Sequence, residues 1–311
     1  MLILANPRRP GGHRQIYSAD YQLYFYSNSM STSSATATPR VEKIRLAGVK
    51  TTISWPSKGT PPSAEVINGV VFLLPGAMVG ISEYNGLRDV ILQNNQVVVS
   101  FFVNVLYPFR DNHRHHAQNV ARIFDELLLR YPDRGLPRSS YGIVGHSCGA
   151  KVGLLVASIV DPSRIAFVLA LDPVDMNPIE FTNRKGSNLP LDDDTAGRES
   201  HDDDTFVHVS ARRQRNEARE NIPLAITCTD GGLGISKEHD GEAIHKLHPA
   251  TTCYRHEKAG HMCYCDHGGG WAGKLMPDVG TKEGNSKAKL AAQELIQNLL
   301  SRKNDSHTLD S

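Results

Sequence analysis

The stretch SYGIVGHSCGAKVGLLVASI, residues 140–159, decides the fold. Tyr141 to Val144 is a short β-branched and aromatic run, the composition of a strand. Gly145, His146, Ser147, Cys148 and Gly149 follow at once. Val152, Leu155, Val156 and Ile159 then recur at helical spacing. Strand, tight turn and helix, with G-x-S-x-G at the turn, form the pattern of a nucleophile elbow. A turn this tight forces the serine into a strained backbone conformation and pushes its side chain outward. A Cβ at Gly145 or Gly149 would collide with the neighbouring strand or helix, so both positions require glycine. The N–H of Cys148 lies at a helix N-terminus, where the dipole favours a developing negative charge. The plainer reading is a glycine-rich strand–helix connection with an exposed serine.

On either side of this stretch, the chain alternates continuous apolar runs with amphipathic stretches. Gly69–Leu74 (GVVFLL), Gln96–Phe102 (QVVVSFF) and Ile165–Leu171 (IAFVLAL) read as buried strands. A helix is expected from about Glu83 to Asn94. His116–Arg130 is the clearest helix, with Ala117, Val120, Ala121, Phe124, Leu127 and Leu128 on one stripe. Val41–Leu46 and Thr51–Trp55 read as edge strands, and Leu224–Thr227 and Thr251–His256 as the last two. Ser286 is a plausible N-cap for a terminal helix with Ala292, Leu295, Ile296 and Leu299 inward. The fold class expected is α/β: a mainly parallel central sheet with helices on both faces. No internal repeat is visible.

At 311 residues with 40% hydrophobic content, the chain suits one large α/β domain. We expect that domain at 41–303, with a polar, charged cap or loop excursion at about 176–220 and a tail at 304–311. Residues 1–40 are arginine-bearing, Ser/Thr-rich and nearly free of acids, the composition of an organelle transit peptide or of a disordered extension. A net charge of +1 gives no footprint for nucleic acid. No apolar run reaches the ~18 residues of a membrane span. Five cysteines in a chain this long do not form a disulfide framework.

A serine hydroxyl needs a base, and the base needs an orienting carboxylate. In this kind of fold the acid and then the histidine follow the serine in chain order, at the ends of later strands. Of 14 histidines, His261 in Lys258-Ala259-Gly260-His261 is best placed as base, because the glycine lets the loop bend back. His256 and His267 are weaker alternatives. Asp172, Asp175 and Asp230 compete as the acid, and position alone leaves the three open. Ala77, in Pro75-Gly76-Ala77-Met78 after the third strand, is placed to give a second oxyanion donor beside Cys148. Met78, Met176 and Met262, with Val79 and Val174, are the apolar side chains expected near a substrate. His113, His115 and His116 read as a solvated loop. Cys263, Cys265 and His267 resemble a metal spacing but lack a second pair, so free or redox-labile thiols are the preferred reading, with activity sensitive to oxidation through their place beside His261, and no metal is expected.

With these residues laid out, the chain resembles plant and algal chlorophyllases, serine esterases of the α/β-hydrolase fold, from about residue 65 to 302. Gly145-His146-Ser147-Cys148-Gly149-Ala150-Lys151 is similar to the family's GHSRGGK. Leu171-Asp172-Pro173-Val174-Asp175 is similar to its DPVDG run. Gly260-His261 with Asp266 resembles its GHLDMLD loop. Cys148 stands for an arginine, Met176 for the last glycine of DPVDG, and Pro75 for the histidine before Gly76. These departures bear on substrate more than on fold or reaction. The resemblance implies a triad of Ser147, Asp172 and His261 and cleavage of the phytyl ester of chlorophyll to chlorophyllide and phytol. It implies no cofactor and a hydrophobic ester substrate, with at most peripheral membrane contact; the composition of residues 1–40 points to a plastid, the cytoplasm being the alternative. A general carboxylesterase or lipase is the nearest rival. A catalytically silent fold that binds a lipid or pigment is the rival of another class.

Overall fold

The computed structural model describes residues 39–57, 67–103, 113–174, 222–231, 252–274 and 280–307. The N-terminal extension up to residue 38, the 176–220 excursion, and Asp175 and Met176 lie outside the described residues. Among the described residues eight strands form one sheet: β1 (Arg40–Leu46), β2 (Val49–Trp55), β3 (Gly69–Leu74), β4 (Gln96–Phe101), β5 (Tyr141–His146), β6 (Ile165–Leu171), β7 (Leu224–Gly231) and β8 (Thr252–Gly260). Their order is β1-β2-β4-β3-β5-β6-β7-β8. β1 and β2 pair antiparallel, as do β2 and β4, and every pairing from β4 to β8 is parallel.

The parallel strands are apolar because both faces are covered. In β3, β4 and β5 every residue is buried. Alternation then divides the side chains between two cores. Val70, Phe72 and Leu74 pack with Val120, Phe124 and Leu127 of α2 (His113–Arg130) and with Leu154, Leu155 and Val156 of α3 (Cys148–Ile159). Val71 and Leu73 face the opposite way, onto Leu87 and Ile91 of α1 (Asn85–Gln93) and onto the C-terminal helix. A short helix, α4 (Gly270–Lys274), precedes that helix, α5 (Lys282–His307). Among the described residues no helix is long and apolar enough to cross a membrane.

Several boundaries differ from the sequence reading, each for a local reason. β2 is not an edge: it lies between β1 and β4. The hairpin joining β1 to β2 turns on Ala47 and Gly48, both at positive φ (50° and 79°), the backbone that a two-residue turn needs. α2 begins at His113, and His113 and His116 are buried in its first turn instead of solvated. β8 runs on to Gly260 through residues that are exposed or half-buried until Ala259, the pattern of a strand at the margin of the sheet. Ser286 does not cap α5. Thr281 does, its Oγ1 accepting the Gly284 N–H at 3.0 Å. Ala288, Ala292, Ile296 and Leu300 make the buried stripe of α5, which continues past residue 303 to His307.

Candidate active site

Four strands bring the chemistry to one edge of the sheet. β5 ends at His146, Ser147 turns at φ 55° and ψ −121°, and α3 starts at Cys148. The glycines are required as expected. A Cβ on Gly145 would land on the Gly149 carbonyl, and one on Gly149 would land on the carbonyl oxygens of Leu74 and Pro75. The Ser147 N–H donates to the Leu171 carbonyl at 3.0 Å, tying the elbow to the end of β6. The next residue, Asp172, also takes a positive φ of 43°. Its N–H donates to the Thr227 carbonyl on β7 at 2.9 Å, so the acid is hung from the neighbouring strand.

Asp172 is 8% exposed, and a carboxylate this buried needs compensating donors. Thr229 supplies two: its N–H reaches Oδ1 at 2.9 Å and its hydroxyl reaches Oδ2 at 2.7 Å. The third is Nδ1 of His261, 2.6 Å from Oδ2. Asp172 accepts all three bonds, so the His261 proton sits on Nδ1 and the Nε2 lone pair is left for chemistry. His261 starts the 3₁₀ turn His261–Tyr264 directly after β8 and is 2% exposed. Of the three candidate carboxylates, the one that meets His261 in the structure is Asp172. Asp230 is turned away, accepting from Arg255 Nε at 2.9 Å and from the Lys258 N–H at 3.0 Å. Asp175 lies outside the described residues. His256 lies on β8, where burial lowers its pKa, and exposed His267 pairs with Glu83.

The loop after β3 lies against the elbow. A Cβ on Gly76 would come within 3.2 Å of both His146 Nδ1 and Ser147 Cβ. Ala77, the expected donor, follows directly, and the turn closes with the Val79 N–H on the Gly76 carbonyl at 3.3 Å. Cys148 is the first residue of α3, whose opening N–H groups have no partner within the helix. Met78, Gly80, Ser82, Glu83, Phe102, Gly269 and Gly270 line a cleft of about 430 Å³ beside this loop. Phe102 belongs to that wall and not to β4, which stops at Phe101. Met262 is buried behind the cleft, where a side chain on Gly269 would strike its Cε.

Cys263 and Cys265 are both buried, and burial pushes the Cys265 thiol up to about 12 and that of Cys263 well above its usual value. A thiol held neutral is a poor nucleophile, so the expected oxidation sensitivity does not follow from their place beside His261. Among the described residues no three His, Cys, Asp or Glu side chains gather as a metal site. Sequence reasoning missed Thr229, which carries no local motif.

No family model matches the chain, and no curated protein does. Solved structures do. TT1662 from Thermus thermophilus aligns with a TM-score of 0.53 over 85% of this chain and 98% of its own, at 15% identity. S-formylglutathione hydrolase from Staphylococcus aureus aligns with a TM-score of 0.53 over 85% and 96%, at 11% identity. A soluble variant of monoglyceride lipase from Saccharomyces cerevisiae aligns with a TM-score of 0.52 over 86% and 98%, at 12% identity. At these identities the likeness speaks for the fold. The parallel sheet, the elbow between β5 and α3 and the covering helices agree with it: the chain has the α/β-hydrolase fold.

Proposed function

We propose that the chain is a serine carboxylic-ester hydrolase whose natural substrate is a large apolar ester, the phytyl ester of chlorophyll being the specific candidate. One observation carries the reaction class: His261 Nδ1 lies 2.6 Å from an Asp172 carboxylate that Thr229 also holds, beside a serine on a strained elbow. In this reading Ser147 Oγ adds to the ester carbonyl carbon while His261 Nε2 takes the hydroxyl proton. The carbonyl electron pair moves onto oxygen, and the N–H groups of Cys148 and Ala77 stabilise that oxyanion. Collapse re-forms the carbonyl and breaks the bond to the alcohol, which leaves with the proton from His261. Water, deprotonated by the same imidazole, then releases the acid by the reverse sequence. Asp172 stabilises the imidazolium in both halves. The residues named supply every proton and electron pair without a cofactor.

The pigment assignment rests on the likeness of Leu171–Asp175 and Gly260–His261 to chlorophyllase motifs. The plastid setting rests on the acid-poor first forty residues, and peripheral membrane contact on the nature of the substrate. The neighbours' names, S-formylglutathione hydrolase and monoglyceride lipase, support hydrolysis as the reaction class. A general carboxylesterase or lipase acting on another, smaller hydrophobic ester is the second reading, and the departures at Pro75, Cys148 and Met176 from the chlorophyllase motifs are what favour it.

The test incubates the purified chain with chlorophyll a in detergent and, separately, with short-chain p-nitrophenyl esters. Chlorophyllide a should appear at a rate unchanged by EDTA, and Ser147→Ala should abolish it. Brisk cleavage of short esters with no chlorophyllide would establish the smaller-ester reading. Failure of both substrates, with Ser147 inert to a fluorophosphonate, would leave a binding protein.

A further inference from the structure

Two of the most deeply buried polar side chains near Ser147 have no part in that mechanism. Tyr84 and His146 are each 1% exposed. Tyr84 closes the 3₁₀ turn Ile81–Tyr84 ahead of α1, and His146 is the last residue of β5. They lie on one chain of hydrogen bonds. The Gly76 N–H meets Tyr84 Oη at 2.9 Å, Tyr84 Oη meets His146 Nδ1 at 2.7 Å, and His146 Nε2 meets the His261 carbonyl at 2.9 Å.

With a neutral imidazole the protons between Gly76 and His261 have one arrangement, and the Cys265 thiol is a further neighbour of Tyr84 Oη. An amide N–H only donates, so Tyr84 Oη accepts from Gly76. A carbonyl only accepts, so His146 Nε2 carries a hydrogen and donates it to His261. A neutral His146 then has a bare Nδ1, which takes the Tyr84 hydroxyl proton. Burial holds the ring neutral, lowering its pKa to about 3, and raises that of Tyr84. The His146 ring also lies 4.8 Å from the His261 ring and 5.6 Å from that of Tyr264, centre to centre. One end of the chain is the residue before the Ala77 donor. The other is the backbone of the general base.

We propose that Tyr84 and His146 are positioning residues that hold the oxyanion loop and the general base in register with Ser147. The inference rests on the ester-hydrolase reading above. A shift of about 1 Å in a reacting group costs on the order of 100-fold in rate, so a strut that spans both groups has leverage over catalysis without touching substrate.

The test uses Tyr84→Phe, His146→Gln and His146→Phe in the full chain. Fluorophosphonate titration counts the sites, and kcat and KM are measured on a p-nitrophenyl ester per titrated site. Tyr84→Phe keeps the ring and loses the bridge, so kcat should fall about 10- to 100-fold with KM within about threefold. Gln keeps one donor and one acceptor, whereas Phe keeps the ring and has neither. The strut therefore predicts that His146→Gln outperforms His146→Phe, and packing alone predicts the reverse. Combining Tyr84→Phe with His146→Phe should cost no more than His146→Phe alone, because both cut the same chain. A Tyr84→Phe enzyme with kcat per site within twofold of wild type overturns the proposal even where His146→Phe does not fold. His146→Phe equal to or better than His146→Gln overturns it too. A wild-type Ser147 that takes no phosphonate overturns the ester-hydrolase reading and this proposal with it.

Discussion

Asp172 occupies a left-handed backbone conformation that costs a non-glycine residue about 1–2 kcal/mol. The bonds around it explain why it stays there. Its N–H is anchored to Thr227, and its carboxylate collects two donors from Thr229 and one from His261. The strain places a charged oxygen beside the imidazole and leaves no buried acceptor without a donor. Asp172→Asn keeps the shape and exchanges one carboxylate oxygen for an amide that donates. The amide facing His261 Nδ1 would favour the other tautomer and remove the lone pair from Nε2. We expect kcat to fall by about 10⁴-fold with the fold intact. Asp230→Asn should stay within about threefold, since that carboxylate serves Arg255 and the Lys258 N–H near the surface. Steady-state kinetics on one ester, with circular dichroism for folding, decides the matter; the opposite ranking would move the acid to β7. Among the residues themselves, the serine and the histidine were legible because glycines mark their turns. The choice of carboxylate was not. It depends on which strand end faces His261, a contact 89 residues away in the chain, and it took the likeness of the Asp172–Asp175 run to a known family to favour Asp172.

At the level of elements, the central parallel strands β3 to β6 were legible almost to the residue, whereas β7, expected at Leu224–Thr227, runs on to Gly231. Burial on both faces leaves no polar position in their middle, and Ile165–Leu171 came out unchanged. The margins were harder. β8 has exposed charges along much of its length, so its pattern fades before its hydrogen bonds do. The start of α5 shows the same weakness. Ser286 has the right chemistry for a cap, but the helix already contains it, and Thr281 makes the bond to the Gly284 N–H. Thr281 also fastens the helix to β8, its N–H donating to the Lys258 carbonyl at 2.7 Å. Thr281→Ala keeps that backbone bond but loses the cap and the hydroxyl's own 3.2 Å bond to the Lys258 carbonyl, so it should cost about 1 kcal/mol, while Ser286→Ala should be neutral or slightly stabilising. Urea unfolding of the two variants beside wild type measures this, and equal losses would return the cap to Ser286. The Tyr84–His146 bond spans 62 residues and joins a turn to a strand end. No window of sequence contains both partners, which is why the strut became visible only in the folded chain.

The whole molecule should record the neutral His146 as a dependence of stability on pH. Its pKa is about 3 in the folded chain, because burial and the neighbouring His261 disfavour the imidazolium, against about 6.5 when unfolded. Between those values the unfolded state binds the extra proton and the folded state does not. Stability is therefore fully present above about pH 6.5 and is lost progressively as the pH falls toward 3, at up to about 1.4 kcal/mol per pH unit. The groups packed on the ring do not cancel this. The Tyr84 and Tyr264 hydroxyls have pKa values raised by burial and stay neutral across the window, and Asp172 has His261 and Thr229 for partners. His256 is shifted in the same direction by its own burial, and exposed Glu283, its pKa lowered by Lys287, also favours the folded state less as acid is added. Both act equally in wild type and in His146→Gln, so they drop out of the difference between the two. Urea unfolding from pH 7 to pH 4.5 should show wild type losing stability more steeply than His146→Gln, by as much as one proton's worth in the middle of the range. Parallel profiles would mean that His146 carries the same charge folded and unfolded, and the arrangement of hydrogen bonds from Gly76 to His261 would then have to be drawn with an imidazolium in it.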